Sequence, residues 1–159
     1  SLPPTRVVPQ GERQAMATTF ERRGRAPWHL WLVGGLTLLF NAMGIVSYLT
    51  TQLGMLAAMG LTPEQIAFME SYPAWISAFW ALGVWGAFAG SVLLLLRSKW
   101  AVAAMIVATI GLVGTTFGNY AVIEVPAAMQ APALDAAIWV VTLFLLFYAS
   151  RMSKAGVLR

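Results

Sequence analysis

PAWISAFWALGVWGAFAGSVLLLL (residues 73–96), RSK (97–99) and WAVAAMIVATIGLVGTTFGNY (100–120) decide the fold of this chain: two uncharged apolar runs stand back to back across a short basic turn. At about 1.5 Å per residue, each run is long enough for the roughly 30 Å of hydrocarbon in a bilayer. A helix is the form that pairs its own backbone groups there. Working outward, residues 28–50 make a third such run without a charge. Residues 132–150 make a fourth, which reaches span length by including the first turn, where Asp135 stands. The predicted fold is all-α: an integral membrane four-helix bundle over 28–150, preceded by a basic tail over 1–27 and followed by a short tail over 151–159.

Composition agrees with lipid as the solvent, since 59% of the 159 residues are hydrophobic and only 10% are charged. Cys is absent, which excludes disulfides, Cys-ligated metals, iron–sulfur clusters and thiol catalysis. The net charge of +4 would suit nucleic acid, but its placement assigns it elsewhere. Arg6, Arg13, Arg22, Arg23 and Arg25 precede the first run, Arg97 and Lys99 sit between the second and third, and Arg151, Lys154 and Arg159 follow the fourth. The positive-inside rule makes those three segments cytoplasmic, which requires an even number of spans and puts both termini inside. The expected location is a bacterial inner (cytoplasmic) membrane, with no nucleic-acid partner. Glu64, Glu70, Glu124 and Asp135 fall on or near the opposite side.

Aromatic residues repeat this registration. Trp28, Trp31, Trp100 and Tyr148 mark the cytoplasmic ends, and Tyr48, Tyr72, Trp75, Tyr120 and Trp139 the outer ends. Trp80 and Trp85 fall at mid-span, away from both belts, and are expected to pack against protein as partner-facing side chains. The first 27 residues are polar and Arg-rich with no apolar h-region, so the first span is expected to act as the targeting signal. Met16 opens a plausible shorter start. A tail of this composition orders when something holds it, which points to a partner surface. In the first outer connection, Thr62-Pro63-Glu64-Gln65 has the form of an N-cap, a Pro at N1 and a Gln at N3, and predicts a short interfacial helix.

Helices in lipid associate through small-residue contacts and hydrogen bonds, because the lipid tails are as apolar as Leu. Gly83, Gly86 and Gly90 keep to one face of the second span, and Gly111, Gly114 and Gly118 repeat the same spacing on the third. These two faces either close a tight antiparallel hairpin, nearest at Gly86 and Gly114, or meet a partner or flat cofactor. On the first span Gly34, Thr37, Asn41, Gly44 and Tyr48 form a seam with Asn41 near its middle. Asn41 is read either as an interhelical hydrogen bond, with Thr109, Thr115, Thr116 and Thr142 as candidate partners, or as a substrate-contacting amide. Asp135 is read as a helix-start cap favoured by the dipole, or as a proton- or cation-coupling carboxylate. His29, between Trp28 and Trp31, is read as an interface anchor, or as an axial ligand to haem or a pigment.

No phosphate loop, nucleophile elbow, paired carboxylate or metal-spaced cluster stands in the sequence, so neither catalysis nor a metal is expected. Lipid contacts are expected and no cofactor is required. The residues Leu61-Thr-Pro-Glu-Gln, Tyr72-Pro73-Ala74-Trp75, Trp80-Ala-Leu-Gly-Val-Trp-Gly and Gly90-Ser-Val-Leu-Leu-Leu-Leu-Arg97 resemble a family of small uncharacterised proteobacterial four-helix inner-membrane proteins, some of them labelled sugar transporter. The resemblance runs from Trp28 onward. It implies fold and location and brings no site residues with it, and no residue here supports the transporter label. The leading functional expectation is a non-catalytic accessory or structural subunit that packs with other membrane subunits or itself. A small-solute transporter working as an oligomer and a pigment- or haem-binding protein are the alternatives.

Overall fold

The computed structural model describes residues 7–159, and within them all side chains except those of residues 20–24. Arg6 and the side chains of Arg22 and Arg23 therefore lie outside the described residues. Every regular element described is helical: α1 (Gln10–Gly24), α2 (Trp28–Gln52), a 3-10 turn (Ala57–Met59), α3 (Pro63–Glu70), α4 (Ala74–Leu95), α5 (Trp100–Phe117) running on into a π-helical turn (Gly118–Val122), a second 3-10 turn (Ala127–Met129) and α6 (Pro132–Lys154). Four of these, Trp28–Gln52, Ala74–Leu95, Trp100–Val122 and Pro132–Lys154, are long and apolar enough to cross a membrane. The chain is thus compatible with a multi-pass integral membrane protein.

Local chemistry sets the ends of these helices. Thr62 and Gln65 close a reciprocal capping box at the start of α3, with Pro63 at the first helical position. Three of the long helices end alike, on a left-handed residue whose neighbours bond back to the last carbonyls. Gly54 (φ 70°) ends α2 and Gly156 (φ 74°) ends α6, each with the next residue's N–H reaching back, Met55 to Thr50 O (2.9 Å) and Val157 to Met152 O (3.0 Å). At the end of α4 the same position is Arg97 (φ 58°), although a side chain in that conformation costs about 1–2 kcal/mol.

Tertiary contacts compensate at Arg97. Its Nε donates to Val157 O (3.1 Å), its carbonyl accepts from Arg159 N (2.6 Å), and Lys99 N donates to Arg159 O (2.9 Å). Residues 155–159, within the short tail expected from the sequence, are therefore tied to the α4–α5 turn. α6 continues to Lys154, the chain turns at Gly156, and Val157 and Leu158 are buried beside the α4–α5 turn.

α4 packs along α2 on one side and most extensively along α5 on the other, and α6 packs on α5 with little contact to α4. The start of α2, the α4–α5 turn and the end of α6 meet at one end, here called the basic end. Leu30, Leu94, Ala101, Met105, Leu145, Tyr148, Ala149 and Leu158 form a continuous core there. At the other end α2 and α6 are not packed together, and a space remains between them.

Candidate functional site

That space is a chamber of about 450 Å³ lined by all four long helices. α2 contributes Asn41, Gly44 and Ser47 along one stripe, α4 contributes Trp80, Val84 and Ala87, α5 contributes Leu112, Thr115 and Thr116, and α6 contributes Asp135, Ile138, Trp139 and Thr142. These spacings of three, four and seven residues each keep to one helix face. Tyr72, before α4, and Asn119 and Tyr120, in the π-helical turn after α5, stand toward the end opposite the basic one. Such a turn adds a residue per winding and re-aims side chains, and here it supplies two lining residues.

Asn41 is 8% exposed, and its amide N–H₂ donates to Ala87 O (3.1 Å) and Ser91 Oγ (2.8 Å). Ser91 Oγ in turn donates to Ala87 O (3.1 Å). A carbonyl can only accept, so the amide nitrogen must face Ala87 and the Asn41 oxygen must face away. That Oδ1 accepts no hydrogen bond, yet no fully enclosed side-chain N or O lacks a partner among the described residues. Oδ1 therefore opens into the chamber. Thr142, 5% exposed, also has a hydroxyl without a protein partner, and the same reasoning places it at the chamber wall.

Much of the remaining polar lining is already paired. Trp139 Nε1 donates to Thr116 Oγ1 (3.1 Å), Thr115 Oγ1 donates back to Gly111 O (2.8 Å), Tyr120 O–H donates to Asp135 Oδ2, and Tyr72 O–H donates to Asn119 Oδ1. Burial pushes the Tyr72 phenol above its usual range, more than the Asn119 bond lowers it, so Tyr72 stays protonated and a donor at neutral pH. Trp80 is held edge-on by Tyr48 (centroids 5.2 Å apart) and Tyr72 (6.2 Å).

Several sequence expectations meet a different arrangement. Asn41 bonds Ser91 and none of the four threonines. Thr109 bonds back to Met105 O (2.8 Å) as Thr115 does to Gly111, Thr116 serves Trp139, and Thr142 lines the chamber. Ser91 is a lone hydroxyl in an apolar stretch, which in lipid seeks a partner, and that is the signal in the sequence for this bond. Asp135 lies in the first turn of α6 but makes no cap hydrogen bond, and its carboxylate reaches Tyr120 instead. Trp80, expected to face a partner, turns into the chamber, whereas Trp85 is 44% exposed.

Of the polar seam, Asn41 and Asp135 line the same chamber, and Thr37 bonds back to Val33 O (2.6 Å) on its own helix. His29 sits at the basic end, paired through Nδ1 with the Tyr148 hydroxyl and away from the chamber. Among the described residues, no group of three or more His, Cys, Asp or Glu is placed to hold a metal.

The glycine faces of α4 and α5 meet each other. A Cβ on Gly86 would lie 2.9 Å from Ala108 N and 3.1 Å from Ala108 Cα, and one on Gly111 would collide with the backbone of Gly83 and Phe79. Gly114 and Gly118 accommodate the side chains of Phe79 and Ile76, and Gly90 that of Met105. Gly83 has ordinary room, with Leu112 N at 3.6 Å. The backbone-tight points are thus Gly86 and Gly111, not Gly114. This rigid hairpin is the wall on which the chamber rests.

Fold and site together define an all-helical protein, compatible with an integral membrane protein, whose four long helices enclose a space within the usual size range of small-molecule sites. Compared with family models, curated proteins and solved structures, the chain matches none.

Proposed function

We propose that this is a non-catalytic protein of a bacterial inner membrane, with both termini cytoplasmic, that holds a small organic molecule in the chamber between its four spans. The observation that carries the reading is the pair of mostly buried polar side chains, Asn41 and Thr142, whose oxygens face the chamber without protein partners. An uncompensated polar atom in an apolar surrounding costs free energy, so such atoms are kept where something bonds to them. The topology rests on the basic end, which collects Arg25, Arg97, Lys99, Arg151, Lys154 and Arg159. Reporter fusions after Arg97 and Arg159 should read cytoplasmic, and those after Leu61 and Gln130 periplasmic. A periplasmic reading after Arg159 would reject this orientation.

A second reading, the accessory subunit, is favoured by Trp85. Its indole lies at mid-helix, 44% exposed, and its N–H has no partner among the described residues, an unfavourable state against lipid tails. The residues of α1 whose side chains are described are exposed throughout, as expected of a helix that docks elsewhere. A photo-crosslinking residue at position 85 should capture a discrete membrane protein in native membranes, and crosslinks to lipid alone would reject the subunit reading.

A further inference from the structure

We propose that the chamber takes a small amphipathic organic cation that carries a hydrogen-bond donor at the end away from its charge; this rests on the ligand-chamber reading above. The inference comes from which polar atoms are free. The N–H and O–H groups of Asn41, Tyr72, Thr115, Tyr120 and Trp139 are all committed to protein acceptors. What faces the chamber is therefore weighted toward acceptors: Asn41 Oδ1 at the middle of α2 and the Asp135 carboxylate in the first turn of α6. Asn119 keeps its amide hydrogens, and Ser47, Thr116 and Thr142 keep hydroxyls that turn either way. No Lys, Arg or His lines the space.

A carboxylate or phosphate ligand would find no counter-charge in this lining, and Asp135 would repel it across a medium of low dielectric. A cation would gain Asp135 together with the faces of Trp80, Trp139 and Tyr72, which attract positive charge. Asp135 and Thr142 are seven residues apart on one face of α6, about 10.5 Å along its axis, so one extended molecule reaches both. Its apolar body would lie against Ile138 and Leu112, and its far donor would bond Asn41 Oδ1 or Thr142 Oγ1. The aromatic walls are held in place beforehand by Tyr48 and Thr116, so little ordering opposes binding.

The test is calorimetric binding to the purified full chain in mild detergent with four related probes: tyramine, its neutral analogue tyrosol, its anionic analogue hydroxyphenylpropionate, and phenethylamine, which lacks the far hydroxyl. Tyramine should bind tightest, tyrosol and phenethylamine each about tenfold more weakly, and the anion not measurably. Asp135→Asn should abolish the preference of tyramine over tyrosol while leaving tyrosol binding intact, and Thr142→Val should narrow the gap between tyramine and phenethylamine. Equal affinity for tyramine and tyrosol, tighter binding of the anion, or a preference untouched by Asp135→Asn would overturn the cation assignment and leave the ligand chamber standing. If none of the four binds to protein that melts normally, the cation proposal fails; whether the chamber reading falls with it is decided separately, by the reaction of chamber cysteines with a thiol reagent, which needs no ligand.

Discussion

The two ends of this bundle are built from the same four helices, yet one is solid and the other hollow. At the basic end Leu30, Leu94, Met105, Leu145 and Leu158 interlock around the α4–α5 turn, and the returning chain at residues 157–159 seals the gap. At the opposite end α2 and α6 are not packed together, and aromatic and amide side chains line the space without filling it. In a bilayer, helices gain nothing from hiding apolar surface from one another, so a space between them persists when the rest of the bundle is held rigidly and something polar inside is satisfied. The packed end and the glycine hairpin supply the rigidity. The chamber is where the function is argued to reside.

This contrast predicts unequal responses to substitution. Gly111→Leu should do the most damage, on the order of 3 kcal/mol, because its Cβ meets backbone that cannot turn aside, whereas Gly83→Ala should leave the melting temperature in mild detergent nearly unchanged. Equal loss in both would mean that the hairpin contact is not where the structure puts it. Next in size, Leu145→Ala, in the packed end at 1% exposure, should cost about 2–3 kcal/mol, and Ile138→Ala, which borders existing empty space, less than about 1 kcal/mol. Matched losses would show that the chamber is filled in the membrane. Asn41→Leu removes two interhelical hydrogen bonds, to Ala87 O and Ser91 Oγ, and should lower stability by about 1 kcal/mol, with Ser91→Ala giving no further loss in the double variant. Full additivity of the two in thermal melts would break that pairing. The smallest effect is expected from Asp135→Asn, a few tenths of a kcal/mol, since the side chain makes no cap bond, its exposed bond from Tyr120 can still be accepted by the amide oxygen, and what is lost is its charge at the helix start.

Much of the fold was legible because lipid imposes few solutions. The uncharged runs and the Thr62–Gln65 cap each carry a direct physical meaning, and the helices lie within a few residues of the predicted spans. The glycine spacing pointed to faces that the structure brings together. The chamber was not legible. Ile138 and Leu112 look like any lipid-facing or packed residue, since a cavity is defined by what neighbouring helices fail to fill. The partner of Asn41 is Ser91 and none of the four expected threonines, for a related reason. Thr hydroxyls in apolar helices satisfy themselves on a carbonyl four residues back, as Thr109 and Thr115 do, which leaves the less conspicuous Ser91 as the acceptor. The turn of residues 155–159 back onto Arg97 left no trace beyond Gly156, because Val157 and Leu158 are too short a run to signal burial.

The central claim is that the end opposite the basic one holds an accessible chamber, and the absence of Cys makes a direct measurement simple. Single cysteines placed at Ile138 in the chamber, at Val140 on the exposed outer face of the same helix and at Leu145 in the packed end would be challenged in intact cells with a small, charged thiol reagent, which reacts with thiolate in contact with water. The account predicts rapid labelling at position 138 and little at 140 or 145. No reaction at 138, or reaction at all three alike, would contradict it.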